Sequence, residues 1–98
     1  MNKLPVRFLK KAQYNLTEIG DFIAEDNPMR AVSFVEEIRI KCNDLANFPY
    51  AFPALIGFPS LRKRSYKGYI ILYRVTETAI EIVHIVNSVR DYTRLLKS

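Results

Sequence analysis

The fold this sequence predicts is α+β: β-α-α-β-β-β(-α), a helical hairpin packed on one face of a mostly antiparallel four-stranded sheet. Three observations predict it. Two stretches in the first half carry apolar residues at helical spacing. A Pro-rich break follows, and the second half then turns to short β-branched and aromatic runs with turn residues between them. No internal repeat or linker divides the 98 residues, so residues 1–98 form a single domain with one core.

The elements follow in order. LPVRFL (4–9) reads as a short strand, and Pro5 suits an edge or a first position. From Lys10 the period changes to that of a helix. Ala12, Leu16, Ile19 and Ile23 make one apolar stripe, with Glu18, Asp21 and Glu25 elsewhere. EDNPMR stops and restarts the chain: Asn27 can cap the next helix and Pro28 fits its first turn. A second stripe comprises Ala31, Phe34, Val35, Ile38, Cys42 and Leu45. Glu36, Glu37, Arg39 and Lys41 are expected to face water.

FPYAFPALIGFPS (48–60) has three prolines and a glycine, so neither helix nor regular strand is expected there. It is also strongly apolar. Either it folds back over the core, or Phe48, Tyr50, Phe52 and Phe58 form part of a protein-binding surface. Three strands complete the domain: Leu61–Tyr66, Tyr69–Val75 and Ala79–Val86. Gly68 allows the positive φ of the hairpin turn between the first two. The third, apolar on both faces from Ile82, reads as central, with the N-terminal strand on its far side. The tail is a short helix or an extension.

Composition narrows the function. The single Cys42 cannot form an internal disulfide. No apolar run approaches the ~20 residues that span a bilayer, and MNKLPVRFLKKAQ has too short an apolar segment for a signal peptide. A soluble, cytoplasmic protein without membrane association is expected. The net charge of +5 is unevenly placed. Residues 1–60 hold seven Lys/Arg and seven Asp/Glu, whereas residues 61–98 hold eight Lys/Arg against Glu77, Glu81 and Asp91. That excess is either a solubility feature or a surface for nucleic acid or an acidic protein segment.

Familiar catalytic sets are unsupported. One His and one Cys, 42 positions apart, give no metal-ligand spacing, and no cofactor is indicated. His84 lies inside an apolar strand, where a packed, hydrogen-bonded role is expected. The three glycines are scattered and make no phosphate-cradling loop. What is left is a basic and phenolic constellation: Arg62, Lys63, Arg64, Lys67, Tyr69, Tyr73, Arg74, Arg90 and Tyr92. Strand alternation puts Arg62 and Arg64 on one face and Lys63 on the other. Some of these groups are expected on an open, positive sheet face, suited to phosphate contact or to capture of an acidic peptide.

Three stretches then carry a resemblance: the run from Ala12 to Pro49 with its DNP turn, LRKRSYKGYIILYRV, and EIVHIVNSVRDYTRLL. Together they resemble the ParE/RelE superfamily of bacterial type II toxin–antitoxin toxins, over nearly the whole chain. The DNP turn, GYIILYRV and the terminal Arg-Asp point to the ParE branch, also called plasmid stabilisation proteins. The resemblance implies a toxin that inhibits DNA gyrase by binding, without catalysis of its own, neutralised by a cognate antitoxin in a complex that can be of higher order. It implies target or antitoxin contacts at Arg62, Lys63, Arg64, Lys67, Tyr69, Tyr73, Arg74, Arg90, Tyr50 and Phe52. The alternative within the superfamily is a RelE-like ribosome-dependent endoribonuclease acting on messenger RNA, with Lys63, Arg64, Arg90 and Tyr92 as its catalytic groups. RelE-like toxins often carry an arginine just after the Gly-Tyr of this strand, and here Ile70 takes that place. An isoleucine cannot stabilise a developing phosphorane charge.

Overall fold

The structure, a computed structural model, describes residues 3–89 and Leu96. Strand β1 (Val6–Phe8) leads into α1 (Lys10–Ala24) and α2 (Pro28–Asn43), which a 3-10 turn (Asp44–Asn47) extends. Then come β2 (Ala54–Leu55), β3 (Phe58–Tyr66), β4 (Tyr69–Val75) and β5 (Ile80–Asn87). The helices form where the stripes predict them. Ala12, Leu16 and Ile19 of α1 and Ala31, Phe34, Ile38 and Cys42 of α2 are buried. Asn27 caps α2, its Oδ1 accepting from the Arg30 backbone N–H at 3.0 Å, with Pro28 at the first position. The two helices approach closely at Gly20, where an added Cβ would lie 3.3 Å from Val35 Cγ2. No helix among the described residues is long and apolar enough to cross a membrane.

The sheet has five strands in the order β1-β5-β4-β3-β2, one more than the sequence pattern suggests. The extra strand lies within the Pro-rich stretch. Ala54 pairs with Arg62 and Leu55 with Phe58, so the chain doubles back on itself around Gly57, whose φ is +85°. Pro53 precedes this short edge pairing and Pro59 lies in its irregular step, between the paired Phe58 and Arg62, where a residue that lacks an N–H is tolerated. The middle strand is therefore β4, and Ile70, Ile71, Leu72 and Tyr73 are all buried in it. The last strand is less uniformly buried than its composition suggests: Ile82, Ile85 and Val86 are inside, Val83 and His84 only half so. Val83 is an extra residue opposite the Leu72–Tyr73 step, a bulge that shifts the pairing. The β1 strand does lie beyond β5, and it runs parallel to it, Val6 opposite Ile80.

Two apolar clusters result, one on each face. The larger joins both helices to Ile71, Tyr73, Ile80, Ile82 and Ile85. The smaller, on the opposite face, contains Leu55, Leu61, Ile70, Leu72 and Val86, with Phe58, Val83 and Leu96 packed against it. That face is not a bare basic surface.

Candidate functional site

The basic strand β3 pairs antiparallel with β4, Arg62 opposite Tyr73 and Arg64 opposite Ile71, so these arginines share the helix-covered face. Each arginine holds the Pro-rich segment. Arg62 Nη1 donates to the carbonyls of Phe52 (2.6 Å) and Tyr50 (3.4 Å), and its guanidinium lies 5.1 Å from the Tyr50 ring centre. Arg64 Nη1 donates to the Lys41 carbonyl near the end of α2 at 3.0 Å and reaches Asp44 Oδ2 at 3.4 Å. Its guanidinium lies 4.8 Å from the Phe52 ring centre and 5.6 Å from that of Phe48, and its side chain is only 13% exposed. A cation there satisfies carbonyls left free by the end of the helix and stacks on aromatic faces. Tyr73 completes the clamp: its ring is fully buried and its hydroxyl donates to the Pro49 carbonyl at 2.8 Å. Burial raises the Tyr73 phenol above its usual range. The apolar stretch thus folds back over the core, leaving Tyr50 well exposed and Phe52 half-buried.

The other sequence-predicted groups fall elsewhere. Lys63 faces the opposite side of β3, across from Leu72, and Arg74 shares that side, its Nε donating to Glu81 Oε1 at 2.6 Å. Tyr69 faces the helices, 5.6 Å from the Phe34 ring centre. Lys67 occupies the β3–β4 turn, where it and Gly68 both adopt positive φ (42° and 87°), the requirement of a two-residue hairpin loop. Arg90 and Tyr92 lie outside the described residues. The constellation is therefore divided: Arg62, Arg64 and Tyr73 inward, Lys63 and Arg74 outward, Lys67 at the hairpin tip. Ile70 is 6% exposed, within the smaller apolar cluster on the face that bears Lys63.

Sequence reasoning missed Glu37. It is not a solvated helix residue: its carboxylate accepts from Arg30, from the Tyr66 hydroxyl and from Lys67 Nζ (3.1 Å). These bonds, led by that from Arg30, hold its pKa down to about 2. The same contacts raise Arg30 and Lys67 above their usual values, the hydrogen bond to Glu37 being the main cause in each. The available signal was the seven-residue interval from Arg30 to Glu37, two helical turns on one face. His84 also differs from expectation: its Nδ1 is buried without a hydrogen-bond partner among the described residues. Burial, with Lys11 assisting, lowers its pKa and favours the neutral ring. Burial pushes the Cys42 thiol up to about 12, so it is a packing residue rather than a nucleophile.

Comparison with known proteins agrees with this architecture. Among solved structures, a chain of the chromosomal ParDE toxin–antitoxin system from P. aeruginosa superposes with a TM-score of 0.78 at 19% identity, covering 87% of this chain and 96% of that one. A chain of the toxin–antitoxin complex RelBE2 from Mycobacterium tuberculosis superposes with a TM-score of 0.62 at 20% identity, covering 88% and 99%. At such identities the likeness shows the fold. Among curated proteins no sequence match was found. The family described as "ParE toxin of type II toxin-antitoxin system, parDE" matches residues 6–92. The chain belongs to the ParE toxin family of type II toxin–antitoxin systems.

Proposed function

We propose that this protein is a cytoplasmic toxin that inhibits DNA gyrase by binding and is neutralised by a cognate antitoxin. Family membership supports the toxin role. Two similar solved structures come from toxin–antitoxin systems, which supports an antitoxin partner. The observation that carries binding over cleavage is the placement of the cations on β3. A phosphoryl-transfer site needs its charge stabilisers converging on one reacting group, yet Lys63 and Arg64 point to opposite faces. Arg64 is engaged with Lys41 and Asp44. Where RelE-like relatives often carry an arginine, Ile70 is sealed among Leu61, Leu72 and Val86.

In this reading Lys63 and Arg74, with Arg90, contact the target, Lys67 and Tyr50 contact partners from the rim, and Arg62, Arg64, Tyr69, Tyr73 and Phe52 hold the surface in shape. The test is a supercoiling assay with purified gyrase, the toxin being added alone or premixed with its cognate antitoxin. Inhibition by the toxin alone, relieved by premixing, is expected. Undisturbed supercoiling at concentrations that stop growth would overturn the gyrase assignment.

A further inference from the structure

Beside the Pro-rich clamp, α2 and the β3–β4 hairpin meet through charge in a cluster that shares Lys41 with the clamp. Arg30 and Glu37 lie on one side of α2, and Tyr66 and Lys67 approach from the hairpin. Lys41, one turn beyond Glu37, places its Nζ 5.6 Å from the Tyr66 ring centre, and Lys67 Nζ lies 5.4 Å from the same centre. Arg30 and Lys67 thus share one carboxylate, with Lys41 beside the Tyr66 ring, so among the described residues the cations outnumber Glu37 here. The nearby Asp44 is engaged with Asn47 and Arg64. The cluster is open to solvent: the side chains of Lys67, Arg30 and Glu37 are 56%, 39% and 29% exposed.

We propose that the Arg30–Tyr66–Lys67 cradle is a receptor for an acidic side chain of the protein partner, and that Glu37 fills it as a placeholder in the free protein. The proposal rests on the toxin–antitoxin reading and deepens it by naming a contact site and its chemistry. The donors already present the geometry of a bound carboxylate, two cations and a hydroxyl converging on two oxygens. Exchange of one carboxylate for another conserves those bonds. Glu37, partly exposed already, regains full hydration when it swings out to water, while an incoming acidic segment meets cations that outnumber the carboxylate it replaces. The aromatic rings favour a peptide over a nucleic acid. Phe34 is buried and stacks on Tyr66, with ring centres 6.1 Å apart, and two lysines flank the Tyr66 ring. No open face remains there for a base to stack on.

The test exploits a reversal of sign. Fluorescence anisotropy at low ionic strength measures a labelled hexaglutamate peptide binding to the wild type and to Glu37→Gln, Lys67→Ala and Arg30→Ala. A single-stranded oligothymidine serves as the second probe. Glu37→Gln removes the internal competitor and is expected to tighten peptide binding about two- to fivefold, the scale of an exposed charge contact. Lys67→Ala and Arg30→Ala are expected to weaken it by a similar factor, and added salt to weaken it throughout. Melting curves establish that each variant is folded. Should Glu37→Gln not fold, the exposed Lys67→Ala still decides. Unchanged binding in Lys67→Ala, or weaker binding in Glu37→Gln, would overturn the inference. So would a gain on Glu37→Gln seen with oligothymidine but not with hexaglutamate. Co-purification of the wild type with a co-expressed cognate antitoxin separates the two readings: an intact complex alongside flat peptide results refutes the cradle and leaves the toxin assignment standing.

Discussion

Arg62 and Lys63 are adjacent on β3 and have different roles. Arg62 turns toward the helical layer and donates to two carbonyls of the Pro-rich segment. Lys63 turns to the other face, opposite Leu72, beside the apolar cluster around Ile70. The contrast shows that a dense run of cations in sequence is not a dense basic surface. A strand sends alternate residues to opposite faces, and a guanidinium can satisfy several carbonyls that a flexible ammonium would leave unbonded. On β3 the arginines turn inward, as a clamp, and the lysine outward.

The largest effect that probes this contrast lies beneath the inward face. Ile38→Ala removes a fully buried side chain from the larger cluster and is expected to destabilise by ~2–5 kcal/mol, read from a urea or thermal midpoint. Unchanged stability would mean that the helices do not pack on the sheet as described. Next, Arg64→Ala is expected to cost about 1.5–3 kcal/mol, because it leaves the Lys41 carbonyl of α2 without its charged donor. Lys63→Ala, in contrast, should stay within about 0.5 kcal/mol of wild type. Equal losses at both positions would abolish the distinction between the faces.

A smaller effect is expected at Tyr73→Phe. It deletes only the hydroxyl that meets the Pro49 carbonyl and should cost about 0.5–1.5 kcal/mol. Limited proteolysis around residues 48–53 should accelerate more in this variant than the stability loss alone requires, because the clamp itself has been loosened.

The smallest effect concerns pH. Glu37 has a folded-state pKa near 2, below its ordinary value of 4.5. Its contribution to stability is therefore complete above about pH 4.5 and is lost as pH falls toward 2. The melting difference between wild type and Glu37→Gln should shrink across that window and stay constant from pH 5 to 7. A difference that persists at pH 2 would show that Glu37 does not act through its charge.

Much of the fold was legible in the residues because local signals agreed with one another. The stripe Ala12–Leu16–Ile19, the Asn27 cap with Pro28, and the Lys67–Gly68 turn each specify a local geometry, and the structure contains all three. The fifth strand was not legible. Ala54 and Leu55 pair only because β3 extends back to Phe58, a tertiary event within a segment whose prolines argue against strand. The site was legible in residue type and illegible in direction. Arginines at 62 and 64 signalled interaction, yet their partners are carbonyls of residues 41, 50 and 52, brought close by folding alone. Glu37 was hidden for the same reason, since two of its three donors come from a hairpin some 30 positions away.

The claim that this basic strand binds rather than cleaves is tested most directly by mapping messenger RNA 5′ ends on translating ribosomes exposed to the purified toxin. With Lys63 and Arg64 on opposite faces and Ile70 sealed in an apolar cluster, the transcripts are predicted to stay intact at concentrations that halt growth. Ribosome-dependent cleavage that disappears in a folded Lys63→Ala variant would contradict the binding mechanism and establish an endoribonuclease in its place.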